Sequence, residues 1–175
     1  MIVILHNVRS LYNVGSIFRT ADAVGVKKIY LCGVTPKPVD EFSKPRKQLI
    51  KVSLGAEKYV PWEKVKSTSR LIDKLKKDGY KVLSVEQNKN STPYYKLPKS
   101  YLPRGQAGVP MPTGRQVNSK FCLVLGSEVK GLPSSILKKS DKILEIPMLG
   151  GKESLNVSVA FGIVAYWLRF EYNYK

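Results

Sequence analysis

An α/β fold built on a mainly parallel sheet is predicted by two features of the 175-residue chain. Short, largely apolar runs recur at residues 2–5, 29–32, 82–85, 121–125 and 143–146, the pattern of buried strands. Segments with helical apolar spacing separate several of them, which favours strand–helix–strand crossovers over hairpins.

Taken in order, residues 2–5 form the first strand and a polar loop follows at 7–13. Val14, Ile17, Phe18, Ala21 and Val24 then recur on one apolar helical face. Asn13 is placed to cap that helix and Gly25 to end it. Residues 29–32 complete a strand–helix–strand unit with a right-handed parallel crossover. A proline-containing loop, 33–45, leads to a short basic helix and to an expected strand around Tyr59 and Val60. Between Trp62 and Asp78 the apolar positions Val65, Leu71, Ile72 and Leu75 stand among lysines. That spacing predicts one amphipathic surface helix stopped by Gly79. Residues 100–119 carry Pro103, Pro110 and Pro112 with Gly105, Gly108 and Gly114, two arginines and no acid. They read as a flexible basic insertion in a single domain spanning 1–175. Beyond the strands at 121–125 and 143–146 comes a Gly-rich turn, 147–152. Ser154 then opens a long helix with Val157, Ala160, Phe161, Val164, Ala165 and Leu168 on one face.

Thirty Lys and Arg against thirteen Asp and Glu give a net charge of +17, far above what solubility asks of a small domain. Such a field favours a phosphate-rich partner. The cations gather at 44–51, 64–81 and 138–142. None of these runs is interleaved with aromatics, so phosphate contacts are expected to outweigh base stacking. Cys32 and Cys122 lie in apolar runs and read as buried, reduced thiols. With one histidine in the chain, Cys and His alone cannot assemble a zinc cluster. No apolar stretch reaches membrane-spanning length and the N-terminus lacks a signal-peptide pattern, so a cytoplasmic location is expected.

Several chemistries are weakened by what is missing. No G-x-G-x-x-G follows the first strand, and Gly150-Gly151-Lys152 lacks the spacing of a phosphate loop. No G-x-S-x-G occurs, and His6 alone would have to serve any serine triad. Three segments remain, all at the carboxyl ends of strands, where parallel sheets bind ligands. In Asn13-x-Gly15-x-x-x-Arg19, Gly15 would let a helix start approach a ligand closely, and a helix N-terminus attracts phosphate. Arg19 fits equally a surface arginine or a partner of Asp22. In Gly126-x-Glu128-x-x-Gly131-Leu132, a strand end offers free backbone groups and one carboxylate, or simply a tight turn with an exposed acid. In the third segment Ile146, Pro147 and Met148 make an apolar wall. Ser154 and Asn156 stand where the last helix opens, and there Ser154 also fits a plain cap.

In this order, N-x-G-x-x-x-R, G-x-E-x-x-G-L and I-P-M-x-G-x-x-x-S-L-N-V-S closely resemble the SPOUT superfamily of RNA methyltransferases, in its TrmH-like (SpoU) branch. The resemblance covers nearly the whole chain apart from 100–119. It implies a Rossmann-like, mainly parallel sheet whose C-terminal segment is threaded into a deep trefoil knot, a rare exception among protein connections. It further implies that the knot loops hold a bent S-adenosylmethionine and that a homodimer completes the active site. Matching positions give a cofactor pocket of Val85, Glu86, Gly126, Ile146, Met148, Ser154 and Leu155. They make Arg19 the catalytic arginine, supported by Asn13, Glu128, Ser154 and Asn156.

The implied reaction is methyl transfer to a ribose 2′-hydroxyl of tRNA. Alternatives are rRNA as substrate, a base atom as acceptor, or an RNA-binding protein without catalysis. No metal is implied, because the donor already carries a sulfonium charge. The high pKa of arginine makes it a poor base, so Arg19 acts as one only if pocket and phosphate perturb it, and otherwise stabilises charge. The first and last helices are expected to supply the subunit interface through Phe161, Tyr166, Trp167 and Phe170, unless these rings pack into the monomer's own core.

Overall fold

Seven strands make one sheet in the computed structural model, which describes residues 1–98 and 120–170. The basic segment expected at 100–119 therefore lies outside the described residues. The strands are β1 (Ile2–His6), β2 (Ile29–Cys32), β3 (Trp62–Val65), β4 (Lys81–Val85), β5 (Thr92–Pro93), β6 (Phe121–Leu125) and β7 (Lys142–Glu145). Their order is β3-β2-β1-β6-β4-β7-β5, and all the paired strands run parallel. Among the described residues four α-helices lie between strands, α1 (Leu11–Ala23), α2 (Lys47–Ser53), α3 (Thr68–Lys77) and α4 (Ser134–Leu137), and α5 (Val157–Arg169) follows the last strand.

The apolar runs are explained by burial on both faces of the sheet. In β1, Val3 and Leu5 join a core with Ile17 and Phe18 of α1, Leu49 of α2 and Phe161 of α5. Ile2 and Ile4 point the other way, into a second core with Leu71 and Ile72 of α3 and Ile136 of α4. β6 divides likewise, with Leu123 and Leu125 on one side and Cys122 and Val124 on the other. The expected α/β class and parallel sheet are both present. Insertion of β6 between β1 and β4, with β7 beyond β4, is consistent with the threaded C-terminus that the resemblance implies.

Several local expectations are corrected. Ser10, not Asn13, caps α1: its hydroxyl accepts from Asn13 N at 3.3 Å, which frees the Asn13 side chain. The region read as one helix from Trp62 to Asp78 begins as edge strand β3, and the helix starts only after the Ser67 cap. Glu63 and Lys64 are exposed there, as suits a strand paired on one side only. The strand expected at Tyr59 and Val60 is replaced by a 3-10 turn at Ala56–Lys58, just before β3. Asn156 caps α5 in place of Ser154, accepting from Ser158 N at 2.9 Å. Gly15 serves packing: a Cβ there would overlap the Leu49 carbonyl of α2, so the glycine lets the two helices close together.

Candidate active site

The polar loops at the carboxyl ends of β4, β6 and β7 converge on one cavity of about 510 Å3. Val85 and Glu86 enter it from the end of β4, and Gly126 and Glu128 from the end of β6. Ile146, Met148, Ser154, Leu155 and Asn156 enter from the loop between β7 and α5. All seven positions expected to hold the cofactor thus line a single cavity.

The loop after β6 is held tightly. Ser127 and Gly131 form an isolated antiparallel bridge, and Gly131 N donates to Ser127 O at 3.0 Å. Gly131 has φ +61°, and a Cβ there would collide with the Glu86 carboxylate. That carboxylate accepts from Leu132 N at 2.7 Å and from Gln87 N at 3.1 Å. Glu86 lines the cavity while its oxygens brace the neighbouring loop. Gly126 is equally constrained: a Cβ would overlap the backbone of Gly131 and Leu132. Gln87, which the sequence motifs do not include, also lines the cavity and donates to Ile146 O at 2.7 Å, joining the β4 and β7 loops. No residue pattern marks it beyond its place after Glu86.

At the edge of the cavity a hydrogen-bonded chain links all three motifs. Glu128 Oε2 accepts from Arg9 N at 3.1 Å, and Oε1 accepts from Ser10 N at 3.2 Å and Asn13 Nδ2 at 3.0 Å. Asn13 Oδ1 in turn accepts from Asn156 Nδ2 at 3.1 Å. Partial burial pushes the Glu128 carboxyl up, but the hydrogen bonds from Asn13, Arg9 and Ser10 outweigh it and leave the pKa below the ordinary carboxylate value. The segment is at once a tight turn carrying an acid and an acid put to use.

Arg19 stands apart. It is exposed on α1, does not line the cavity, and forms no hydrogen bond or ion pair with another described residue, Asp22 included. Ser154 lines the cavity without a side-chain hydrogen bond among the described residues. His6 points away from this chemistry, with its Nδ1 at 2.7 Å from the Thr68 hydroxyl, and burial lowers its pKa. Among the described residues no cluster of His, Cys, Asp and Glu suits a metal ion, and no helix is long and apolar enough to cross a membrane.

A parallel sheet with a glycine-bounded cavity at its strand ends makes this an α/β protein with a small-molecule site where such sheets bind ligands. Residues 1–166 match the model of the SpoU rRNA Methylase family, and the chain belongs to that family. A protein of Staphylococcus aureus (strain COL), named for the TrmH family of tRNA/rRNA methyltransferases, is 31% identical over 165 residues. The match takes in 94% of this chain and 56% of the relative, so the chain spans little more than half the length of that protein. Among solved structures, the A. aeolicus TrmH/SpoU tRNA modifying enzyme superposes with a TM-score of 0.73 at 28% identity, covering 96% of this chain and 73% of that one. An AdoMet-bound rRNA methyltransferase from Sinorhizobium meliloti gives a TM-score of 0.77 at 26% identity, covering 97% and 56%.

Proposed function

We propose that the chain is an S-adenosylmethionine-dependent RNA methyltransferase acting on a ribose 2′-hydroxyl, with tRNA as the first substrate to test and rRNA as the second. One observation carries the reading. The seven expected cofactor positions line a single cavity, and Glu128, Asn13 and Asn156 are hydrogen-bonded together at its edge. About 510 Å3 is within the range of small-molecule sites, roughly 300–1,000 Å3. The lining suits a flat, partly apolar ligand: Ile146, Met148 and Leu155 supply apolar surface, and the glycine positions 126 and 131 keep side chains off the backbone. The AdoMet-bound S. meliloti relative supports the same occupant.

S-adenosylmethionine would supply an electrophilic methyl group on a sulfonium, so the site needs no metal. The protein's own part is to place the attacking oxygen and stabilise charge on it. Glu128 and Asn156 hold the first turn of α1 beside the cavity through Asn13. Arg19 would meet the 2′-oxygen as its proton leaves, by hydrogen bonding and charge.

The position of Arg19 favours a homodimer. Tyr12 and Arg19 are seven residues apart, nearly two full turns, so they share one exposed face of α1. On α5, which packs against α1, Val159 and Tyr166 are exposed at helical spacing with Phe170 at the C-cap, and the Tyr166 and Phe170 rings lie 5.5 Å apart. Phe161 is fully buried in its own core, and Trp167 stacks edge-on against Tyr94 at 5.6 Å. The four rings expected at the interface therefore divide, with Tyr166 and Phe170 left for a partner. A second copy on this face would bring its Arg19 to a cavity that lacks one. Calorimetry with S-adenosylmethionine, then labelled methyl transfer to total tRNA and to rRNA, tests the reading. Failure to bind the cofactor would end it.

A further inference from the structure

We propose that the loop between β2 and α2 is a stacking finger, with Phe42 at its tip taking an unpaired base of the acceptor RNA. The inference rests on the RNA methyltransferase reading and adds the part of the chain that grips the RNA. Phe42 is 82% exposed. Single exposed apolar residues are common on surfaces and by themselves mean little. This one is held out by a braced turn. Asp40 Oδ1 accepts from both Phe42 N and Lys44 N at 2.9 Å, and Asp40 N donates to Lys44 O at 2.8 Å. Ser43 takes a positive φ of 62°, and Val39 and Pro45 close the turn as an antiparallel bridge. With the backbone of the turn already fixed, stacking a base costs the rotamer freedom of the ring but no loop ordering.

The loop's root is fixed to the candidate site. Thr35, fully buried, donates through its hydroxyl to Leu5 O at 2.9 Å and accepts from Val8 N at 3.1 Å. Val34 N donates to Asn7 Oδ1 at 3.0 Å. Residues 7 and 8 lead directly to Arg9, whose N–H is bound by Glu128. Finger and cavity are therefore tied through the residues that follow the carboxyl end of β1.

Charge selects the occupant. Lys44 follows the tip, and Lys47 and Lys51 are exposed on α2, which begins directly after the loop. None of the three forms an ion pair with another described residue; Lys66, Lys74 and Lys77 form none either, but their run, 64–81, holds no exposed ring. Asp40 and Glu41 keep their charges, yet residues 37–51 carry Lys37, Lys44, Arg46, Lys47 and Lys51 against these two acids, a balance of +3. An aromatic ring among unpaired cations is the chemistry that binds single-stranded RNA, stacking a base while lysines meet phosphates. The sequence alone hides this, because Phe42 precedes the basic run 44–51 and is not interleaved with it.

The test measures binding of the full chain to a single-stranded RNA of about 12 nucleotides and to its duplex, over a salt series. Phe42→Ala should weaken single-strand binding about tenfold at every salt concentration, Phe42→Trp should keep it, and duplex binding should change little. Lys44→Gln should instead flatten the salt slope by about 0.7, the contribution of one phosphate contact on a single strand. S-adenosylmethionine binding should be the same in all variants. Wild-type affinity in Phe42→Ala, equal losses on single strand and duplex, or a Phe42→Trp as weak as Phe42→Ala would each overturn the proposal. So would a change of oligomeric state in Phe42→Ala, which would assign the ring to a subunit contact. A wild-type chain that binds S-adenosylmethionine but no RNA overturns the finger and leaves the cofactor reading standing. One that binds neither removes both.

Discussion

The side-chain amide of Asn13 donates to Glu128 Oε1 at 3.0 Å, joining residues 115 positions apart in the chain. Asn13 is free to do so because Ser10 has taken over the capping of α1. The same Asn13 accepts from Asn156, so one amide holds the β6 loop and the start of α5 to the first helix. Removing any member would loosen the edge of the cavity, which Glu128 and Asn156 themselves line.

Glu128→Gln should damage this junction more than its shape suggests. Both carboxylate oxygens act as acceptors, so an amide must turn one NH2 towards backbone N–H donors. The site is exposed enough for water to compensate in part, and the expected loss of stability is about 1 kcal/mol. Urea unfolding would show it. Methyl transfer should fall by roughly 10²-fold or more, as for loss of a positioned group.

The same carboxylate predicts a pH effect. Its folded pKa lies below the ordinary value, so its contribution is present at neutral pH and is lost as pH falls through the folded pKa. Wild-type protein should lose stability below about pH 4, near the free carboxylate value, more steeply than Glu128→Gln. Parallel acid titrations of the unfolding midpoint check this. Identical acid limbs would show that Glu128 contributes nothing.

Gly126→Ala should cost stability and cofactor affinity together. The added methyl group overlaps the backbone of residues 131 and 132, which Glu86 holds from the other side. Overpacking of this kind costs about 1–3 kcal/mol. Calorimetry should show S-adenosylmethionine affinity reduced at least tenfold. Unchanged affinity in a folded variant would remove this loop from the cofactor site.

Both thiols should be inert in the native protein. Burial pushes Cys32 up to about 11 and Cys122 up to about 12, and both side chains are fully enclosed. Thiolate is the reactive form, so a thiol reagent near pH 8 should find essentially no cysteine until denaturant is added. Rapid labelling of the folded chain would contradict this.

Much of the fold is legible in the sequence because burial on both sheet faces leaves unbroken apolar runs, as in β1, β2 and β6. The exposed edge strand β3 is not, because Glu63 and Lys64 carry no strand signal and Val65 falls in helical spacing with Ile72. Five of the seven expected cavity positions lie in the second and third motifs, whereas Val85 and Glu86 follow β4 outside any motif and are reached only through the family resemblance. The Asn13–Glu128–Asn156 chain cannot be read from sequence, since it depends on which side chain caps each helix. At both helix starts a neighbouring residue, Asn13 or Ser154, fits the capping pattern as well as the true cap, Ser10 or Asn156.

Arg19→Ala should reduce methyl transfer by roughly 10²–10⁴-fold while S-adenosylmethionine affinity stays within a small factor. Its exposure away from the cavity predicts that a partner subunit uses it. Mixing Arg19→Ala subunits with Met148→Glu subunits should then restore part of the activity, because each mixed dimer holds one intact pocket facing one intact arginine. No restoration, with dimers shown by sedimentation, would place Arg19 in the service of its own chain.

The most direct test follows a labelled methyl group from S-adenosylmethionine into RNA, using total tRNA and rRNA with wild type and Arg19→Ala. A methyl group on a ribose 2′-oxygen blocks alkaline cleavage of the adjoining phosphodiester, because that oxygen can no longer attack the phosphorus. The expected result is label in alkali-stable dinucleotides with wild type and almost none with Arg19→Ala. Label confined to alkali-labile nucleotides would mean a base atom is the acceptor, and no transfer to either RNA from a cofactor-binding protein would contradict the proposed activity.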